Sequence, residues 1–252
     1  MISDLLKEQK EIWEKYKKEK DKSFKNRKIN MREYYYKYAF IRFLDSDFPD
    51  HYIDQIGLFN DKEKIEEELE KYENILSKAE DEAPLQKYFT DKSYLIASIV
   101  ASSRFGHHDL YVFPHKRLAE QYVPDFVICG TNSMGYGWFF VELQSPSTQI
   151  VLKSGNKKGD PAEQAREGLN QIKNWNRWIK KHYEYARKES GLNMKDIDPD
   201  FCFYRLIIGR SSDFKEGFIN EWRKKEISSF KGNLDILSYD RIKGYYEKHF
   251  IG

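Results

Sequence analysis

The chain has 252 residues, enough for one large domain or for one domain with a helical annex. Hydrophobic residues make up 40% and charged residues 33%, which excludes a disordered chain, and a net charge of only +2 gives no global attraction to nucleic acid. No apolar run approaches the ~20 residues of a membrane helix and the N-terminus is charged almost at once, so a cytoplasmic protein with no membrane association is expected.

Residues 4 to about 20 read as a polar helix, and 31 to 44 as a denser aromatic-aliphatic helix broken by the segment DSDFPDHY. Residues 14 to 32 hold nine Lys or Arg against three acids, and residues 61 to 82 hold ten acids against four Lys. Such runs are ordinarily solvated helix faces; a basic arm touching phosphate is the sharper alternative for the first. Ile65, Leu69, Tyr72 and Leu76 follow a 4-3-4 spacing, which is one face of a helix. Pro84 suits the first turn of the next helix, with Leu85, Tyr88 and Phe89 as its apolar side.

The pattern changes near residue 109. LYVF, YVPDFVIC, WFFVELQ and FYRLIIGR are short, apolar and rich in β-branched or aromatic residues, so they predict strands. GTNSMGYG predicts the loop of a hairpin joining the second and third of them. Ala165, Leu169, Ile172 and Ile179 then mark one face of a helix of roughly six to seven turns. A helix around 214 to 227, a short strand LDILSY and a terminal helix close the chain. Cys129 and Cys202 both lie in apolar runs and read as small core residues.

Chemistry concentrates in VPDFVICGTNSMGYGWFFVELQSP, residues 123 to 146. Asp125 and Glu142 each sit inside an apolar run. A carboxylate is charged at neutral pH, and burying it unpaired is costly. Hairpin neighbours can place side chains on one face, so two such acids either converge on a divalent cation or end in structural ion pairs. Mg²⁺ takes a couple of carboxylates plus waters and phosphate oxygens, and the Leu143 carbonyl is a candidate third ligand. Such a centre can activate water against a phosphodiester.

The pattern PDF, a hairpin, then ELQ resembles the PD-(D/E)XK nuclease signature, and more specifically the Shedu anti-phage defence nuclease domain. EAPLQKYF at 82 to 89 resembles that family's opening Glu-x-x-(L/F)-Q helix. LAEQYVPDFVI, WFFVELQSP, AREGLNQIKNW, LIIGR and LSYDRI follow in the family's order. The resemblance implies an α/β fold with a PD-(D/E)XK restriction-endonuclease-like core, a mixed sheet flanked by helices. It sets an N-terminal helical region at 1–78 and a nuclease domain at 79–252. It implies a Mg²⁺- or Mn²⁺-dependent endonuclease cutting double-stranded phage DNA, and a homo-oligomer. Asp125 and Glu142 would hold the metal with the Leu143 carbonyl. Glu82 would join or orient the metal shell, and Gln171 matches the family's glutamine on the following helix.

Gln144 departs from the family, which has Lys there. A glutamine can orient water but supplies no charge. Lys153, Lys157 or Lys158 in the next loop are candidates to supply it. The alternative function is a catalytically weak or inactive module of the same fold that binds nucleic acid or protein. His107, His108, Asp109 and His115 lack zinc-type spacing, so a loop is expected there, with one His free to approach a scissile phosphate. Residues 173 to 188 hold six Lys or Arg against one acid, interleaved with Trp175, Trp178, Tyr183 and Tyr185. That mixture suits nucleic-acid contact or an amphipathic helix packing its aromatics on the sheet.

Overall fold

The computed structural model describes residues 46–53, 62–101, 108–156, 158–188, 191–215 and 217–248. The helices expected at 4–20 and 31–44, the basic run, His107 and Lys157 lie outside them. Three helices come first: α1 (Lys62–Lys78), α2 (Ala83–Asp91) and α3 (Ser93–Ala101). Strands β1 (Asp109–Pro114), β2 (Phe126–Asn132) and β3 (Gly135–Leu143) follow, then the long helix α4 (Glu163–Arg187). Strand β4 (Cys202–Ile207), α5 (Gly217–Ser229), β5 (Leu234–Leu237) and α6 (Asp240–Tyr246) complete the order.

The strands form one sheet in the order β1-β2-β3-β4-β5. The first two pairings are antiparallel and the last two parallel. A parallel step needs a crossover, and α4 and α5 supply the two crossovers. Alternation along the strands sorts the core into two layers. Leu110, Val112, Phe126, Ile128, Phe139 and Val141 pack against α1, α2, α3 and α6. Tyr111, Phe113, Val127, Cys129, Trp138 and Phe140 pack against α4 and α5. The result is the expected α/β arrangement, a mixed sheet with helices on both faces. Both cysteines are buried and free.

Helix α1 buries Ile65, Leu69, Tyr72 and Leu76, as their spacing predicts. They share one core with the sheet, so this helix, on the N-terminal side of residue 79, packs as part of the same layer. The hairpin turn is tighter than the glycine content suggests. Pairing runs out to Asn132 and Gly135, leaving only Ser133 and Met134 as the turn. Asn132 Oδ1 accepts the Met134 N–H at 2.8 Å, and Gly135 takes φ +113, a conformation that glycine adopts without strain. Strand β2 begins after Pro124 rather than before it, because proline has no N–H for the ladder.

Candidate metal centre

The β2–β3 ladder pairs Phe126 with Val141. The pairing ends there; Asp125, just before β2, returns to β3 through its side chain, and its charge acts on Glu142, where like charges repel. Glu142 is only 4% exposed, and Asp125 is half-buried. Among the described residues, neither carboxylate forms an ion pair with Lys, Arg or His.

Hydrogen bonds fix both acids. Asp125 Oδ2 accepts the Leu143 N–H at 2.7 Å, and Oδ1 accepts a short bond from Gln86 Nε2 on α2. Glu142 Oε1 accepts from Gln144 Nε2 at 3.1 Å. Burial pushes the Asp125 carboxyl up to about 6 despite those donors, and the Glu82 charge adds to the rise. Burial, then the Asp125 charge, pushes Glu142 well above the ordinary carboxylate range. Without a cation, both carboxyls thus keep their protons to higher pH than ordinary carboxyls do.

Glu82 caps the start of α2 without a side-chain capping bond. Its carboxylate acts on both acids through charge but bonds to neither. Gln144 is 8% exposed and lies under α4, where a Cβ added to Gly168 would meet its Cγ at 3.0 Å. Glycine at 168 is therefore what lets the motif strand and the helix approach. Gln171, one turn further along α4, is exposed and joins neither carboxylate by a hydrogen bond. The Leu143 N–H donates to Asp125 Oδ2, which sets its peptide beside that carboxylate.

Five residues that support the site had no site role expected from the sequence: Gln86, Ser145, Ser147, Tyr239 and Tyr72. Gln86 lies in the EAPLQKYF segment, and only its tertiary contact reveals its task. The Ser145 and Ser147 hydroxyls both donate to the Glu80 carbonyl, at 2.7 and 2.6 Å, and lash the end of β3 to the turn before α2. The Tyr239 hydroxyl donates to the Gln144 carbonyl at 2.9 Å, and Tyr72 of α1 donates to the Tyr239 carbonyl at 2.9 Å. Two tyrosines, one from each end of the described chain, thus brace the motif from below.

His115 is exposed, with φ +50, and its N–H donates to the Asp125 carbonyl at 2.9 Å. Its charge lowers the Asp125 pKa, so this is the histidine of the cluster that reaches the centre's surroundings. Lys158 instead lays its ammonium 5.7 Å from the Phe218 ring on α5, and Lys153 is exposed.

The donor set suits a hard cation: two carboxylates that form no ion pair among the described residues, beside the main chain at Leu143. Among the described residues, no group of three or more His, Cys, Asp or Glu is placed to hold a metal. A cation here would therefore rest on two carboxylates, the main chain and water, with Glu82 outside direct reach. No described helix is long and apolar enough to cross a membrane.

The family described as Shedu protein SduA, C-terminal matches residues 59–242 of the chain. No curated protein matches it.

Proposed function

We propose that this chain, which belongs to the Shedu SduA C-terminal family, is a metal-dependent DNA endonuclease in anti-phage defence, built on a PD-(D/E)XK-like core. The observation that carries this reading is the pair of buried Glu142 and half-buried Asp125, whose charges act on each other and which form no ion pair with Lys, Arg or His among the described residues. Mg²⁺ or Mn²⁺ bound there would neutralise charge developing on the phosphodiester and lower the pKa of a bound water. Asp125, Glu142 and the Leu143 carbonyl would hold it.

The chain's own residues do the rest. The Leu143 N–H and Gln86 hold the Asp125 carboxylate in one orientation. Gln144 orients Glu142 with its amide N–H, and its amide oxygen is the group for positioning the attacking water. Glu82 adds negative charge that favours a cation. Gln171, exposed on α4, is placed to meet the DNA rather than the metal. Family membership supports the defence role, and the expected homo-oligomer belongs to the same reading.

The test is cleavage of plasmid and linear duplex DNA with Mg²⁺ or Mn²⁺, comparing wild type with Glu142→Gln. Cutting by wild type alone supports the reading. Equal cutting by both overturns it. A second reading, a binding module that keeps the acids but no longer cuts, is favoured by Gln144 standing where the family has Lys. It expects Mg²⁺ to raise the melting temperature of wild type while no form of DNA is cut.

A further inference from the structure

Helix α4 carries a second pattern that the carboxylate centre does not use. Gln164, Gln171, Trp178 and Tyr185 recur every seven residues. Seven residues are nearly two helical turns, so the first three lie along one line of the helix, and Tyr185 follows beyond a break at His182, where the backbone leaves helical values (φ −125, ψ 18). The line starts beside the centre: Gln164 sits one turn before Gly168, against which Gln144 packs. Its Oε1 is buried with no hydrogen-bond partner among the described residues.

At the far end the line becomes aromatic. The Trp178 ring lies 5.1 Å from His182, and 6.4 Å from Tyr185 in an edge-on contact. Trp178 and His182 are half-buried, while Tyr185 is 52% exposed. A tyrosine needed only for the core would not stand that far out. Arg177, Lys181 and Lys188 run along the adjacent flank, and all three are exposed. Among the described residues none of them has a carboxylate partner. Glu184, the one acid between 173 and 188, forms no ion pair with them.

A group of rings beside cations that have no carboxylate partner among the described residues, with Arg177 bonded only to the Lys173 carbonyl and Asn174, matches a polymer that alternates flat apolar groups with negative charge. Duplex DNA hides its base faces by stacking; an unpaired strand presents them. We propose that this line of α4 is a track for single-stranded nucleic acid leading away from the carboxylate centre. Bases stack on Trp178, His182 and Tyr185, and phosphates meet Arg177, Lys181 and Lys188. From Gln164 to Trp178, before the break, the helix rises about 21 Å at ~1.5 Å per residue, so the track spans several nucleotides. The inference deepens the nuclease reading by naming strandedness, and it rests on that reading only for what happens at the inner end.

The test is fluorescence anisotropy of the full chain in EDTA, with a labelled 15-nucleotide oligothymidylate and a duplex of the same length. Tyr185→Ala should weaken the single strand about tenfold and the duplex less than twofold, while Tyr185→Phe keeps the affinity. Lys181→Ala should weaken the single strand and flatten its log–log salt slope by about 0.7. Wild-type affinity in Tyr185→Ala overturns the track, as does an equal loss on duplex, which would make this a backbone contact. Displacement of the oligonucleotide by polyglutamate of equal charge also overturns it, in favour of an acidic peptide. Binding in EDTA is independent of cutting. If Glu142→Gln still cuts, the nuclease reading falls while these affinities decide the track.

Discussion

Glu68 and Glu142 are two buried glutamates with nearly equal exposure, 5% and 4%, and opposite electrostatic fates. Glu68 on α1 meets Lys71 at 2.9 Å, Lys92 at 3.3 Å and the Tyr88 hydroxyl at 3.0 Å. Burial works against its charge, but bonds from Lys71, Tyr88 and Lys92 outweigh it and hold its carboxyl below the ordinary range. Glu142 faces another acid and receives one neutral amide bond. The fold therefore gives Glu68 two lysine partners, while among the described residues neither Asp125 nor Glu142 forms an ion pair. Structural acids come with their counter-charge built in; an acid pair left without one is shaped for a visitor that brings it.

The strongest way to break this contrast is to neutralise each glutamate. Glu142→Gln is expected to abolish cleavage, yet in EDTA at pH 7.5 its urea midpoint should rise, because an acid whose charge burial disfavours is replaced by a neutral amide. Glu68→Gln is expected to lower the midpoint, with a loss of about 1–3 kcal/mol in unfolding free energy, because charge-assisted bonds are lost. Equal signs for the two would erase the distinction.

A pH series sharpens it. The Asp125 carboxyl rises on folding from an ordinary 3.8 to about 6, so the folded state holds its proton longer than the unfolded one. That contribution is fully present below pH ~4 and is lost as pH rises through ~6; it is worth about 3 kcal/mol. Metal-free protein should thus lose stability from pH 4 to 7, and Mg²⁺ should restore most at the alkaline end. Asp125→Asn, melted over the same range, should lack the Asp125 share of this slope. Glu68 contributes the reverse sign, since its lowered carboxyl gives stability that fades as pH falls.

Two smaller effects follow. Gln86→Ala frees one oxygen of Asp125 and should reduce cleavage about 10- to 100-fold, with little change in melting temperature. A large melting shift without a kinetic one would mark Gln86 as packing. Gln144→Lys, which places an ammonium beside both acids, should raise cleavage on the order of tenfold and lower the pH at which activity appears. No gain would mean that the glutamine already does the positioning.

The strands and most helices were legible because their burial follows simple periods. The 4-3-4 stripe of α1 and the one-sided pattern of α4 need no tertiary knowledge. Helix α3, SYLIASIVA, was not legible, because it is apolar almost throughout and shows no polar face to set a period. Gly130 and Gly137 read as loop yet pair within the hairpin, since a ladder needs only backbone. At the site, Asp125 and Glu142 stood out as charges inside apolar runs. Gln86 did not, because a neutral amide in an amphipathic helix is ordinary until its partner 39 residues away is known. The serine lashing and the tyrosine brace were silent for the same reason: each ends on a main-chain carbonyl, which no sequence pattern marks.

The acid pair has one further consequence, in calorimetric terms. With Glu142 held well above the ordinary carboxylate range and Asp125 at about 6, a divalent ion enters by driving out the Glu142 proton and, below about pH 6, the Asp125 proton as well. The centre then works as an ion exchanger. The heat of Mg²⁺ titration should differ between phosphate and Tris by the number of protons expelled times the difference in buffer ionisation enthalpy. The apparent affinity should steepen with pH until both sites arrive empty. A cell that acidifies would unload such a centre, and one that stays alkaline would keep it charged.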